Sequence, residues 1–206
     1  MPTLTLYRGW LLPSHYVWSP FVTKLEARLR LANNPYKTSS GRQNEYGLLE
    51  DKAYFHNTRE RWTENYYTMR NHVLSAIPYP VRILVGLLIY RSTVQTLHGQ
   101  GTGRYSAEEV QGFRVEAWKA VNDLLVASKA KAKEVVGSDD GRPFWVLGGE
   151  APTEADTTVF GFVVSVLVCD AGPKTREVVR GFPVIVEYAR RIHNAYFPDY
   201  EGWAEE

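Results

Sequence analysis

The sequence predicts a mostly helical fold that opens with a short strand–helix–strand unit. Three observations lead there. Only the first 39 residues carry strand-like segments, and they flank an amphipathic stretch. From Leu48 onward apolar residues recur at helical spacing. Near the end, the run Val159 to Cys169, apolar except for Ser165, comes after a helix-start signature at Thr153 and Asp156.

The opening Thr3 to Tyr7 alternates and reads as a strand. After a loop with Gly9, Pro13 and Ser14, Ser19 is placed to cap a helix and Pro20 to sit in its first turn. Phe21, Leu25, Leu29 and Ala32 form its expected buried stripe, and Glu26 and Arg30 an i, i+4 ion pair. Asn33-Asn34-Pro35 ends the helix, and Tyr36 to Ser39 is a second short strand. From Leu48 through Phe55, Trp62, Tyr66 and Met69 to Val73 the spacing predicts one long helix, broken by Pro78 and Pro80. Val81 to Leu97 is a mostly apolar helix closed by a loop read as flexible, Gly99 to Gly103; that loop comes after a helix and lacks the context of a dinucleotide site. Ser106 and Glu109 make a capping box. It opens a helix whose expected inner face is Val110, Phe113, Ala117, Val121, Leu124 and Ser128, with basic residues Lys129 to Lys133 at its end.

The chain is organised around Phe144 to Asp170. The Thr153 hydroxyl is expected to accept from the Asp156 backbone N–H, and the Asp156 carboxylate from that of Thr153. The run from Val159 to Cys169 is apolar all round, as a helix in the middle of a bundle must be. The valines and threonines from Asp156 to Cys169 favour strand, but fourteen residues without alternation are too long for one. Gly161 inside it implies close approach of another helix. Lys174 to Arg180 is a short helix, and Phe182-Pro183 opens a last one with Ile185, Tyr188, Ile192 and Tyr196 inward. Asp199 to Glu206 reads as a mobile acidic tail.

Composition narrows the function classes. A net charge of +1 over 206 residues excludes strong electrostatic attraction to nucleic acid or to an anionic membrane as a global property. One cysteine makes no internal disulfide, and no signal peptide is visible. The longest apolar runs fall short of the ~20 residues a bilayer needs, so no transmembrane segment is expected. The five histidines are scattered without ligand spacing, so no metal site is expected. Cys169 ends an apolar helix and reads as buried and inert. Glu154 and Asp156 do not share a helix face and form no acid/base pair.

Gly-x-x-x-Pro-Thr-x-Ala-Asp-x-x-x-Phe-Gly, at Gly148 to Gly161, resembles the core-helix start of the all-helical C-terminal domain of glutathione-transferase-like proteins. The Phe160-Gly161 form is similar to the failed-axon-connections and metaxin branch. Ser19-Pro20-Phe21-x-x-Lys24-Leu25-Glu26 and the later Pro35-Tyr36 resemble the first helix and second strand of that branch, and Phe182-Pro183 to Tyr196-Phe197-Pro198 its last helix. The resemblance implies a thioredoxin-like βαβ part over residues 1–43, a helical glutathione-transferase-type domain over 44–198 and the tail 199–206. It implies glutathione as co-substrate and a small electrophile, with Ser19 stabilising the thiolate, or Tyr7 in its place. Phe21, Tyr54 and Trp62 are then candidates to line the substrate site. The alternative for Ser19 is a helix cap alone. The family pattern departs after Ser39: the hairpin, its cis-proline and the acidic-Ser pair that hold glutathione have no counterpart, since no proline occurs between Tyr36 and Ile77. A lone hydroxyl orients a thiol poorly, and orientation carries ~7–11 kcal/mol of a barrier. The second implied function is therefore a non-catalytic interaction protein with a protein partner, cytoplasmic or peripheral to the mitochondrial outer membrane; a homodimer stays open.

Overall fold

A computed structural model describes residues 4–7, 14–39, 56–136 and 143–204. Among them the chain is mostly α-helical, with one two-stranded parallel sheet. The backbone falls into two compact units: residues 1–47, 119–168 and 179–206 form one, and 48–118 with 169–178 the other. That partition differs from a division at residue 43, because the later helices return to the strand–helix–strand segment.

In the first unit β1 (Leu4–Tyr7) pairs in parallel with β2 (Tyr36–Ser39), Leu4 opposite Tyr36 and Tyr7 opposite Ser39. Parallel strands need a crossover, and α1 (Pro20–Leu31) supplies it. Its buried face is Pro20, Thr23, Glu26 and Ala27, whereas Phe21, Leu25 and Leu29 are half-buried and Ala32 is exposed. The expected stripe is thus rotated, and α5 (Glu154–Val168) is the reason. A Cβ on Gly161 would lie 2.7 Å from the Pro20 carbonyl oxygen and 2.8 Å from the Lys24 backbone nitrogen. The two helix backbones touch at glycine, so the small residues of α1 face inward. Every residue from Phe160 to Leu167 is buried, which makes α5 the helix without a polar face that its sequence predicts.

The start of α5 corrects one detail. Asp156 does accept from the Thr153 backbone N–H at 2.7 Å. The Thr153 hydroxyl does not accept from the Asp156 N–H; it donates to the carboxylate at 2.9 Å. The other carboxylate oxygen takes the Val146 N–H at 2.7 Å and the Tyr188 hydroxyl at 3.0 Å. Asp156 is fully buried and satisfied by four donors, so it ties α5 to the preceding loop and to α7 (Pro183–Tyr196). α7 buries Ile185, Tyr188, Ala189 and Ile192, close to expectation.

α4 (Ala107–Val136) contributes its first residues to the second unit and the rest to the first. Its capping box forms as read: Ser106 N–H to Glu109 at 2.8 Å and Glu109 N–H to Ser106 at 3.2 Å. Its buried stripe is Val110, Arg114, Trp118, Leu125 and Ser128, while Leu124 is 45% exposed. The face is centred about one residue later than apolarity alone predicts. Arg114 is tolerated there because Glu60 stands 3.5 Å away, equally buried.

In the second unit the long helix predicted from Leu48 to Val73 is interrupted. Residues 56–59 are helical, Glu60–Glu64 form a π-helical turn, and α2 (Tyr66–Val73) starts after a break at Asn65; Leu48 and Phe55 lie outside the described residues. The break places the Glu60 carboxylate on the N-terminus of α6 (Pro173–Arg180), where it accepts the Lys174 N–H at 2.6 Å, the Thr175 N–H and the Thr175 hydroxyl. α3 (Tyr79–Gln100) has Pro80 in its first turn, with Arg82 closing the turn onto the Ser75 and Ile77 carbonyls at 2.8 and 2.9 Å. It continues through Gly99, and the glycine loop is a cap, not a flexible link. Gly101 takes φ 113°, a conformation open to glycine, and Gln100 accepts from the Thr102 N–H and hydroxyl at 3.0 and 2.6 Å.

Candidate functional site

The N-terminus of α1 carries the residue with the clearest chemical potential. Ser19 is the N-cap, with extended φ −82° and ψ 116°, and its hydroxyl makes no capping hydrogen bond. Only its backbone carbonyl serves the helix, accepting the Thr23 N–H at 3.3 Å. The reading of Ser19 as a side-chain cap is thereby corrected. Pro20 explains part of this: it has no N–H, so the first turn has one donor fewer to satisfy. Ser19 is half-buried, at the positive end of a three-turn helix, where a hydroxyl can donate to an anion. The backbone beside it is held: Ser165 donates to the Trp18 carbonyl at 2.8 Å, and Phe21 meets Phe162 edge to face at 6.0 Å. Phe21 therefore packs in part against α5.

The other candidates are not gathered there. Tyr7 enters as the last residue of β1. Trp62 is half-buried in the π-helical turn of the second unit. Tyr54 lies outside the described residues. Among the described residues no cluster of three or more His, Cys, Asp or Glu could hold a metal ion. Cys169 is buried, and burial pushes its thiol up, away from nucleophilic character.

Sequence reasoning missed a polar cluster that joins α1 to the chain end. Glu26, 1% exposed, accepts from the Tyr36 hydroxyl at 2.8 Å and from the Tyr200 hydroxyl. Arg30 lies 4.3 Å from the Phe197 ring centre and 4.6 Å from that of Tyr200, and donates to the Tyr196 carbonyl at 2.8 Å and to both Asp199 oxygens at 2.5 and 3.0 Å. The expected Glu26–Arg30 pair exists at 3.7 Å, but it is buried by the tail and not solvated. Tyr16 donates to or accepts from His193 Nδ1 at 2.7 Å and packs against Tyr200 at 5.0 Å. The tail is thus docked from Phe197 to Ala204, and Arg180 reaches the Ala204 carbonyl at 2.8 Å. The mobile tail expected from composition is corrected; its aromatic residues Tyr200 and Trp203 were the available signal.

Electrostatics track burial. Burial is the main cause that pushes Tyr36 up to about 12 and Tyr16 higher, so both stay neutral hydroxyls. Burial lowers His193, while the Arg30 hydrogen bond holds Asp199 below the usual carboxylate range. These groups bind one another. In the second unit Tyr66, Tyr67 and Tyr79 surround the Arg70 guanidinium at 5.5, 5.4 and 6.0 Å. No helix among the described residues is by itself long and apolar enough to cross a membrane. No family model, no curated protein and no solved structure matches this chain.

Proposed function

We propose that this chain is a glutathione-transferase-like protein, with a reduced thioredoxin-like β1–α1–β2 part, that works by binding through its helical second unit and not by conjugation. The observation that carries the reading is the outer face of α3, where Leu84 is 65% and Leu88 67% exposed. A single exposed leucine needs no explanation; a run along one helix marks an interaction surface. The kinship is supported by the parallel strand pair bridged by α1 and by the buried Thr153–Asp156 clasp that starts α5. The polar groups around α1 are committed to structure, which favours a scaffold over a catalyst.

The enzyme reading keeps one specific observation, the uncapped Ser19 hydroxyl at the α1 N-terminus. Glutathione-agarose retention and a conjugation assay decide between them. The binding reading expects neither retention nor turnover at millimolar glutathione. Turnover that Ser19→Ala lowers by roughly a hundredfold or more would establish the enzyme; such losses are typical of removing a donor to a reacting anion.

A further inference from the structure

We infer that the outer face of α3 docks on an anionic phospholipid surface, an inference that rests on the binding role proposed above and names its partner. Val81, Ile83, Leu84, Leu87, Leu88 and Val94 are each 39–67% exposed. At 100° per residue they cover one continuous arc, from Ile83 round to Val81, close to half the helix circumference. Tyr67 and Tyr79, beside Arg70 in the same unit, are 71% and 60% exposed as well. Apolar residues scattered singly on a surface are ordinary; six along one helix arc are not.

Charge selects the occupant. From Asn65 to Ala107 the sequence holds no Asp or Glu but four arginines. Arg70 is buried and Arg82 is committed to the Ser75 and Ile77 carbonyls, which leaves Arg91 and Arg104 exposed. Arg91 continues the Leu84–Leu87–Leu88 row one turn on and is exposed. A second copy laid on this face would bring like charges together, with no acid on the stretch to offset them. A partner helix wants a groove, whereas an arc of protruding leucines is a ridge. An anionic lipid interface fits each feature: leucines enter the acyl boundary, tyrosines sit at headgroup depth, and Arg91 meets phosphate.

The test is co-sedimentation of the full chain with vesicles of phosphatidylcholine alone, or with roughly one-third phosphatidylserine, at low and high salt. The expected result is binding to the anionic vesicles that weakens with salt. The double variant Leu84→Asp/Leu88→Asp should bind at least ~10-fold more weakly, and Arg91→Gln about 5-fold more weakly at low salt, from ~1 kcal/mol per surface arginine. All these positions are solvent-exposed, so far-UV circular dichroism and the urea midpoint should stay near wild type. The proposal is overturned if wild type ignores anionic vesicles, binds them no better than phosphatidylcholine, or binds equally after the double substitution. A dimer in sedimentation equilibrium that only the leucine variant dissociates, without vesicle binding, would assign the face to self-association instead. Glutathione turnover would sink the non-catalytic role and leave the vesicle result standing; vesicle failure without turnover removes only the lipid partner.

Discussion

Replacing Asp156 by alanine should be the most damaging single change in the first unit. Its carboxylate accepts from the Val146 and Thr153 N–H groups at 2.7 Å each, the Thr153 hydroxyl at 2.9 Å and the Tyr188 hydroxyl at 3.0 Å, all at a fully buried position. Alanine leaves those donors in the interior, and an unsatisfied buried donor costs about 1–3 kcal/mol. The two backbone N–H groups cannot turn away, whereas the hydroxyls can. We expect a loss of about 4 kcal/mol, a large share of the ~5–15 kcal/mol that holds a domain folded. Tyr188→Phe removes one donor, leaves the carboxylate three, and should cost about 1 kcal/mol. Asparagine is no rescue, because its amide would point N–H at N–H. The measurement is urea unfolding monitored by tryptophan fluorescence and near-ultraviolet circular dichroism, with coincidence of the two probes as the check on two-state behaviour. A loss under ~1 kcal/mol for Asp156→Ala would refute the assignment of this carboxylate as the tie between α5, the loop before it and α7.

Gly161→Ala should destabilise by more than ~2 kcal/mol despite a ~1 kcal/mol gain in helix propensity, since the new Cβ would meet backbone atoms at 2.7 and 2.8 Å. Gly86→Ala in α3 should cost at least ~1 kcal/mol less, because the atoms it meets belong to the movable side chains of Arg70 and Tyr66; chemical denaturation of both variants makes the comparison. Acidification should loosen the tail. His193 is held below its ordinary value, so its neutral form is the folded one; its stability contribution is present above ~6.5 and fades as pH falls through the lowered value. Asp199 responds at lower pH, its contribution present above ~3.9 and lost on protonation, so amide protection factors over 197–204, corrected for intrinsic exchange, should fall as pH drops below neutrality, and a flat profile would contradict this. Arg30→Lys should release the tail already at neutral pH, because lysine gives neither the two-pronged contact to Asp199 nor the planar stack on Phe197 and Tyr200; hydrogen exchange over 197–204 reports it.

Local signals decided the elements. Pro20, the Ser106–Glu109 box and Pro80 mark helix starts because they act within one turn, and the Phe160–Leu167 run reads as a central helix because it is too long for a strand and has no charged face. Which face turned inward was settled by neighbours far along the chain. Gly161 drew the small side of α1 inward, and Glu60 let Arg114 into the stripe of α4. Glu26 and Tyr200, 174 residues apart, turned an acidic tail into a docked one. Apolar periodicity ranks single residues by hydrophobicity, whereas burial of a charge depends on a partner that no local pattern can supply. Likewise the exposure of Leu84 and Leu88 was invisible in a run that reads as core, because apolar character says what could be buried and only packing says what is.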